Sequence, residues 1–535
     1  MCTSSKIKCS PLSKWSTLFL LFSLVLTIQP VSLFAQDKQL TFNQVYMFSE
    51  PRILKPFPRL QGWFDDEHYL MAKRDTAANS IVKVNAKSGE ETIVLDFNAI
   101  NPNLDEAELT AESNIGITKD YSGMLFSKDN DLYFYSVPKN KVTRLTENED
   151  EEVTPMLSPD GKKAAFIRNK DLYVVDVESA KETRLTNDAS DVVYNGYASW
   201  VYMEEIIGRT LKYRAYWWAP NSEMIAFLRF DDTPVPNFPL YKADGVHGEL
   251  EWERYPKPGD ANPIVKMGIA HININKVVWI DEDETADQYT AWPFWAPDSK
   301  QLFYQVLNRG QDDLQILSAN PETGKNKLIY EEKDITWVEF FEDINILKNN
   351  KGFILRSELD GWRHLYYYDM NGKLKKQLTK GEWNVSKIVF VDEENEKIYF
   401  EANKGDRLQT HLFVVDFDGD GIEQLTKIAG THNVTVSPNG KYFYDTYSDA
   451  NTPQKLDLFE GNGNLIRNLG DRRSKLFDEY TLGKAELFTI KTEDRFELPT
   501  MWILPPDFDA NKKYPVLFSV YGGPGVTDAC TARVC

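Results

Sequence analysis

Residues Met156 to Thr186 read MLSPDGKKAAFIRNKDLYVVDVESAKETRLT. Three groups of turn formers divide this stretch into four short runs of strand character: one at Met156-Leu157, then Lys163 to Ile167, Asp171 to Asp176 and Glu182 to Thr186. In the corner Pro159-Asp160-Gly161 the proline fixes φ and the glycine frees it, so the chain can reverse tightly. Related corners recur at Trp218-Ala-Pro-Asn-Ser222, Trp295-Ala-Pro-Asp-Ser299 and Ser437-Pro-Asn-Gly440. The closing triplet recurs at Arg144-Leu-Thr146, Arg184-Leu-Thr186, Gln377-Leu-Thr379 and Gln424-Leu-Thr426. Between residues 55 and 485 almost no long stretch carries helical periodicity.

A four-stranded unit of this size cannot bury both of its faces alone, but a ring of such units can. The repeat therefore predicts a β-propeller. About 430 residues at roughly 40–60 per blade give seven or eight blades. Two β-sandwich domains in tandem are the competing architecture. Near residue 485 the character changes. Ala485 to Lys491 and Leu498 to Leu504 read as strands, and Tyr514 to Tyr521 is a continuous apolar run suited to a buried strand. That run ends in Gly522-Gly523-Pro524-Gly525, as do strands whose C-terminal ends meet a ligand in α/β enzymes.

The 535 residues exceed one ordinary core, and a hydrophobic share of 42% suits a folded globular protein. A net charge of −20 argues against a nucleic-acid partner, because phosphate would be repelled over most of the surface. Lys6, Lys8 and Lys14 precede an apolar core, Leu18 to Ile28, and Leu33-Phe34-Ala35 offers a cleavage site before Gln36. Residues 1–35 thus read as a signal peptide, 36–54 as an N-terminal segment, and the protein as exported to the periplasm or beyond. A membrane association would require the signal to remain uncleaved as an anchor. The four cysteines are Cys2, Cys9, Cys530 and Cys535, so nothing between Gln36 and Ala529 can form a disulfide or a thiolate metal site.

The chemistry-bearing stretch is Trp200-Val-Tyr-Met-Glu-Glu205. Two adjacent carboxylates in an aromatic setting suit a substrate's α-ammonium group, which needs charge-assisted partners once it leaves water. Alone, Glu204-Glu205 would read rather as an exposed acidic helix. Asp416-Phe-Asp-Gly-Asp-Gly421 imitates the opening of a calcium loop, but Lys427 stands where a bidentate Glu is required. The histidines His68, His247, His271, His364, His411 and His432 lack zinc-ligand spacing, and Arg363-His364 reads as structural within its blade. No metal and no cofactor is expected.

Several further stretches join Trp200 to Glu205: Trp217-Trp-Ala-Pro-Asn221, Phe230-Asp-Asp-Thr-Pro-Val-Pro236, Tyr255-Pro-Lys-Pro-Gly259 with Asn262-Pro263, and Gly361-Trp-Arg-His364 with Thr379-Lys-Gly-Glu-Trp383. Together they resemble the N-terminal propeller of dipeptidyl peptidase IV-like serine peptidases, within the prolyl oligopeptidase group. The resemblance runs over roughly residues 40–525, and it makes 486–535 the start of an α/β-hydrolase domain that is incomplete here. It implies release of N-terminal dipeptides with proline or alanine second, from peptides with a free N-terminus, and a homodimer in the full-length form. It implies that Glu204 and Glu205 bind the amine and that Tyr521 is the oxyanion-hole donor, as a phenol aimed at the developing charge would be. Trp337-Val338 with Phe340-Phe341 loosely matches an aromatic segment lining the family's cavity, but blade packing accounts for it better.

Two departures accompany the resemblance. The stretch Ile115 to Tyr133 lacks the arginine that the family places in an early blade, which leaves a tripeptidyl or broader aminopeptidase reading open. No G-x-S-x-G elbow occurs, and no histidine follows His432, so nucleophile, acid and catalytic histidine are absent from these residues. Val526 to Cys535 does not resemble the family's continuation, and a misread gene end is the expected cause. The alternative function is a non-catalytic peptide- or protein-binding propeller.

Overall fold

The computed structural model describes residues 38–74, 79–348 and 350–520. Residues 1–35, expected to be a signal peptide, and Tyr521 lie outside the described residues. Two compact units separate, one containing 57–470 and the other containing the residues up to Pro56 and from Asp471.

The larger unit is a succession of eight antiparallel sheets, so the expectation of seven or eight blades resolves to eight and the tandem-sandwich alternative fails. Blades 1 to 8 span 59–96, 116–144, 153–184, 193–279, 288–333, 345–377, 385–424 and 431–471. Seven of them are four-stranded meanders; blade 4 has five strands and carries an additional hairpin, Asn237–Lys242 with Glu249–Arg254.

Blade 3, the decisive stretch of the sequence, shows why the repeat stacks. Its second strand Lys163–Arg168 is buried along most of its length, on both faces. Ala164 and Phe166 join Leu125, Leu132 and Phe134 of blade 2, whereas Ala165 and Ile167 join Tyr216, Trp218, Ile225 and Phe227 of blade 4. The period-two alternation of a strand thus serves two different cores, which is why the middle strands read as unbroken apolar runs.

The two sequence signatures have distinct jobs. The threonine closing each triplet is buried and caps a neighbouring strand. Thr146, Thr186, Thr379 and Thr426 accept through Oγ1 from the amides of Leu132, Leu172, Leu365 and Leu412 at 2.8, 2.9, 2.9 and 3.0 Å. The residue before each of those leucines completes the unit. Where the triplet begins with arginine it is an aspartate, and Arg144 pairs with Asp131 as Arg184 does with Asp171. Where the triplet begins with glutamine it is a histidine, His364 or His411, whose Nδ1 meets the threonine hydroxyl at 3.0 or 3.1 Å. An arginine–aspartate pair is exchanged for a glutamine–histidine set at the same place in the fold.

The turn signature links blades. Gly161 and Gly440 adopt φ near +70°, and Ser222 and Ser299 take the same left-handed position at +60° and +61°. Serine tolerates the strain because its hydroxyl is used: Ser222 accepts from the Asp160 amide of blade 3 at 3.1 Å, and Ser299 accepts from the Asn221 amide of blade 4 at 3.1 Å.

All four strands of blade 1 are consecutive, as are those of blade 8, so no exchanged strand closes the ring. Side chains do. Trp63 stacks on Tyr442 and Tyr444 with centroids 6.2 and 5.9 Å away, and its indole donates to the Thr435 carbonyl at 3.1 Å. Tyr69, Val82 and Val84 share a core with Leu456 and Leu458. The first and last residues of the ring meet at Gly470, where an added Cβ would lie 2.6 Å from Pro58 Cδ.

In the smaller unit, Lys38 bridges Tyr480 and pairs with Glu479 at 2.6 Å. A capping box between Thr41 and Gln44 opens the helix Phe42–Tyr46. The strands Ala485–Lys491 and Glu497–Ile503 form the hairpin anticipated near 485. Tyr514 to Val520 departs from expectation: it forms no strand, and Val516, Leu517, Phe518 and Val520 are exposed. A buried parallel strand is stabilised by ladders on both edges, and no ladder partner for this run occurs among the described residues.

Candidate functional site

Glu204 and Glu205 sit on an insertion in blade 4. The strands Val193–Asn195 and Tyr216–Trp218 both pair with Met224–Asp231, Asn195 opposite Arg229 and Tyr216 opposite Phe227. Residues 196–215 therefore leave the blade and return with only Leu228 between the two points of attachment. Backbone bonds seal the neck: Gly196 N–H donates to Leu228 O at 2.8 Å, Leu228 N–H to Ala215 O at 2.9 Å, and Ala215 N–H to Gly196 O at 2.9 Å. Tyr197 and Tyr213 stack above it at 4.9 Å, nearly parallel.

The insertion carries two short helices, a 3-10 turn at Arg209–Leu211 and, before it, Tyr202–Ile206, wound as a π-turn, with Ile207 N–H donating to Tyr202 O at 2.8 Å. A π-turn is an uncommon geometry that recurs at functional sites. Gly208, at φ +80°, ends it. Tyr202 is its anchor: fully buried, edge-on to Phe230 at 4.9 Å, with its hydroxyl accepting from the Thr290 amide of blade 5 at 3.2 Å. At the other end the Trp292 indole of blade 5 donates to the Ile206 carbonyl at 2.9 Å. Trp200 packs on Tyr255 at 4.5 Å, and Tyr255 on Phe238 of the extra hairpin at 5.5 Å.

The two carboxylates are not equivalent. The Glu204 side chain is 15% exposed and held by Arg209, whose Nε donates to Oε2 at 2.6 Å. Glu205 is exposed on the same helix. Further acids lie beside the insertion. Asp232 is 1% exposed and its Oδ1 has no hydrogen-bond partner. Burial raises its carboxyl to about 7, with Glu253 adding to the effect and Ser199 and Arg254 opposing it. Behind Tyr202, Thr290 Oγ1 donates to Glu282 at 3.2 Å; burial pushes that carboxyl up to about 8.

Of the residues singled out in the sequence, Glu204 and Glu205 are brought together, and Tyr521 lies outside the described residues. Phe340 and Phe341 pack on the core of blades 4 and 5, with the Phe341 backbone gripped at both N–H and C=O by Gln305 at 2.8 Å. Trp337 is exposed. His364 is fully buried, its Nε2 on the Gly381 carbonyl at 2.9 Å, a strand-capping group rather than a ligand. Asp416 to Gly421 forms the turn between His411–Asp416 and Glu423–Gln424. No group of three or more His, Cys, Asp or Glu able to hold a metal ion occurs among the described residues, and no described helix is long and apolar enough to cross a membrane. Sequence reading missed Arg209, Thr290, Trp292 and Asp232. A cation five residues after Glu204 was a visible signal for the first; the blade 5 contacts come from 86 residues and more further along the chain and had none.

The class defined by the fold and the site is an eight-bladed propeller with an acidic helix inserted in one blade. The family model described as the dipeptidyl peptidase IV N-terminal region matches residues 118–454, and the chain belongs to that family. Dipeptidyl peptidase 4 of Trichophyton rubrum is 33% identical over 362 residues, 64% of this chain and 46% of that protein. A probable dipeptidyl peptidase 4 of Emericella nidulans is 28% identical over 92% of this chain and 66% of its own length. The crystal structure of Porphyromonas gingivalis dipeptidyl peptidase 4 superposes with a TM-score of 0.80 at 24% identity, over 93% of this chain and 71% of that one. That of a putative dipeptidyl aminopeptidase IV from Bacteroides ovatus gives 0.75 at 25% identity, over 92% and 71%. The chain spans between about half and two thirds of the length of the curated relatives it matches.

Proposed function

We propose that this chain is the substrate-recognising part of an exported serine exopeptidase that releases N-terminal Xaa-Pro or Xaa-Ala dipeptides. The observation that carries the reading is the helix Tyr202–Ile206, which presents two adjacent carboxylates from an insertion braced at both ends. Glu205 offers an uncommitted anion, and Glu204 an anion already oriented by a guanidinium. An α-ammonium placed between them is held at a fixed distance from the bond to be cut, which makes the cut an exopeptidase cut. Tyr521 is assigned as donor to the oxyanion of the tetrahedral intermediate. The share of the reaction assigned to the Glu204–Glu205 insertion is recognition.

The test is binding of a labelled Xaa-Pro peptide with a free N-terminus beside its N-acetylated twin. A loss of roughly tenfold or more on acetylation is expected, and Glu205→Gln should remove the difference. Equal binding of the two peptides would refute the assignment. A second reading is a non-catalytic peptide-binding propeller; steady release of dipeptide by the purified chain would exclude it, and release of tripeptides would point to the tripeptidyl variant.

A further inference from the structure

The amine-binding helix is too short to hold itself. Five residues wound as a π-turn leave terminal carbonyls without intrahelical partners, and their orientation must come from outside. That support comes from the first strand of blade 5, Gln288–Trp295. Its register against Leu302–Asn308 slips between Ala291 and Phe294, a β-bulge. Trp292 lies in the bulge at φ +48°, a left-handed conformation rare for so large a side chain. Strain of this kind persists where the surrounding structure uses it. Here the bulge turns the indole toward the insertion, where it meets the Ile206 carbonyl at 2.9 Å, while the Thr290 amide meets the Tyr202 hydroxyl at 3.2 Å. The two bonds grip the first and last residues of the helix, with Glu204 and Glu205 between them.

We propose that Trp292, seconded by the Thr290 amide, is a positioning residue that fixes the direction of the Glu204–Glu205 pair and thereby the preference for a free N-terminus. This rests on the amine-clamp reading above. Blade 5 supplies an internal control. Trp295 donates through the same indole N–H to the Trp217 carbonyl of blade 4 at 3.2 Å, across the same interface but away from the helix. A purely structural role would make the two tryptophans interchangeable.

The experiment compares Trp292→Phe with Trp295→Phe in the full chain. Each keeps a ring and removes one indole donor. The probe is a fluorescent tetrapeptide with proline second, free or N-acetylated at its N-terminus, read by anisotropy. Trp292→Phe should lower the free-to-acetylated affinity ratio roughly five- to tenfold, as loss of one buried hydrogen bond implies, and Trp295→Phe should leave the ratio unchanged. Should Trp292→Phe not fold, Trp292→Gly removes the brace while relieving the left-handed backbone, and the same fall in ratio is expected. An unchanged ratio in the folded Trp292 variants, or an equal fall in Trp295→Phe, overturns the proposal. A wild-type ratio of one would overturn the clamp itself before any variant is made, and so distinguishes that failure from this one.

Discussion

Replacing Thr186 by valine keeps the shape of the side chain and removes one hydroxyl. In the structure that hydroxyl accepts from the Leu172 amide at 2.9 Å and donates to Asp171 Oδ1 at 2.6 Å, in a buried setting. The valine leaves a buried N–H without a partner, at about 1–3 kcal/mol, and removes one bond to a buried carboxylate, worth about 1.5–3 kcal/mol. Asp171 keeps Arg184 and the Asn195 amide at 3.0 Å, so its loss falls at the lower end, and the total should be about 3–4 kcal/mol. Thr379→Val strands the equivalent Leu365 amide but loses a contact to the His364 ring in place of a carboxylate, and should cost about 2 kcal/mol. Unfolding entropy of about 2.1 cal/mol/K per residue over roughly 400 residues converts 1 kcal/mol to about 1 °C. Differential scanning fluorimetry should therefore show falls of about 3–4 °C for Thr186→Val and about 2 °C for Thr379→Val. Equal falls, or a fall below 1 °C for Thr186→Val, would refute the view that the triplet is a charge-assisted strand cap.

Other expectations follow from single contacts. Ser222→Ala keeps the left-handed strain and loses the bond from the Asp160 amide, so it should destabilise more than Ser222→Gly, by about 1 kcal/mol in denaturant melts. Phe166→Ala empties a fully buried site between blades 2 and 3 and should cost about 3–5 kcal/mol, read in the same melts. Asp232 holds a proton in the fold up to about pH 7, whereas an unfolded aspartate releases it near pH 4. Its contribution to stability is therefore fully present below pH 4 and declines as pH rises toward 7. Asp232→Asn should raise the Tm at pH 8 and leave it unchanged at pH 4; the reverse pattern would show the carboxylate to be charged in the fold. Trp63→Phe should speed amide exchange in Thr431–Val436, facing the closing seam, with no change in blade 3.

The propeller was legible because its information is local and repeated. A strand's alternation and a corner's backbone demand can be read within a few residues, and the recurrence of Pro-Asp-Gly and Arg-Leu-Thr multiplies the signal. The partner of the triplet was equally present as Asp-Leu or His-Leu fifteen residues earlier, but nothing local says that a threonine caps the strand on the far side of the preceding turn. Glu204 and Glu205 drew notice only beside Trp200-Val-Tyr and the downstream motifs, because two adjacent carboxylates alone fit an exposed acidic helix. The contact of Trp292 with Ile206 was not legible, since Trp292 reads as one more core aromatic until a bulge points it elsewhere. Tyr514 to Val520 shows the opposite case: its composition says strand, but a strand exists only with neighbours.

The meeting of Pro58 with Gly470 bears on the order of events in folding. The smaller unit is split, its two parts joined by contacts such as Lys38 with Glu479, 441 positions apart in the chain. Bringing such distant segments together from an open chain carries a large entropic cost and a slow search. Once blades 1 and 8 have met, the same segments leave the ring from adjacent points and the search becomes local. Ring closure thus acts as a clasp for the split unit. A chain stalled during synthesis before blade 8 would have its amino-terminal segment waiting unpaired, however well its earlier blades had formed.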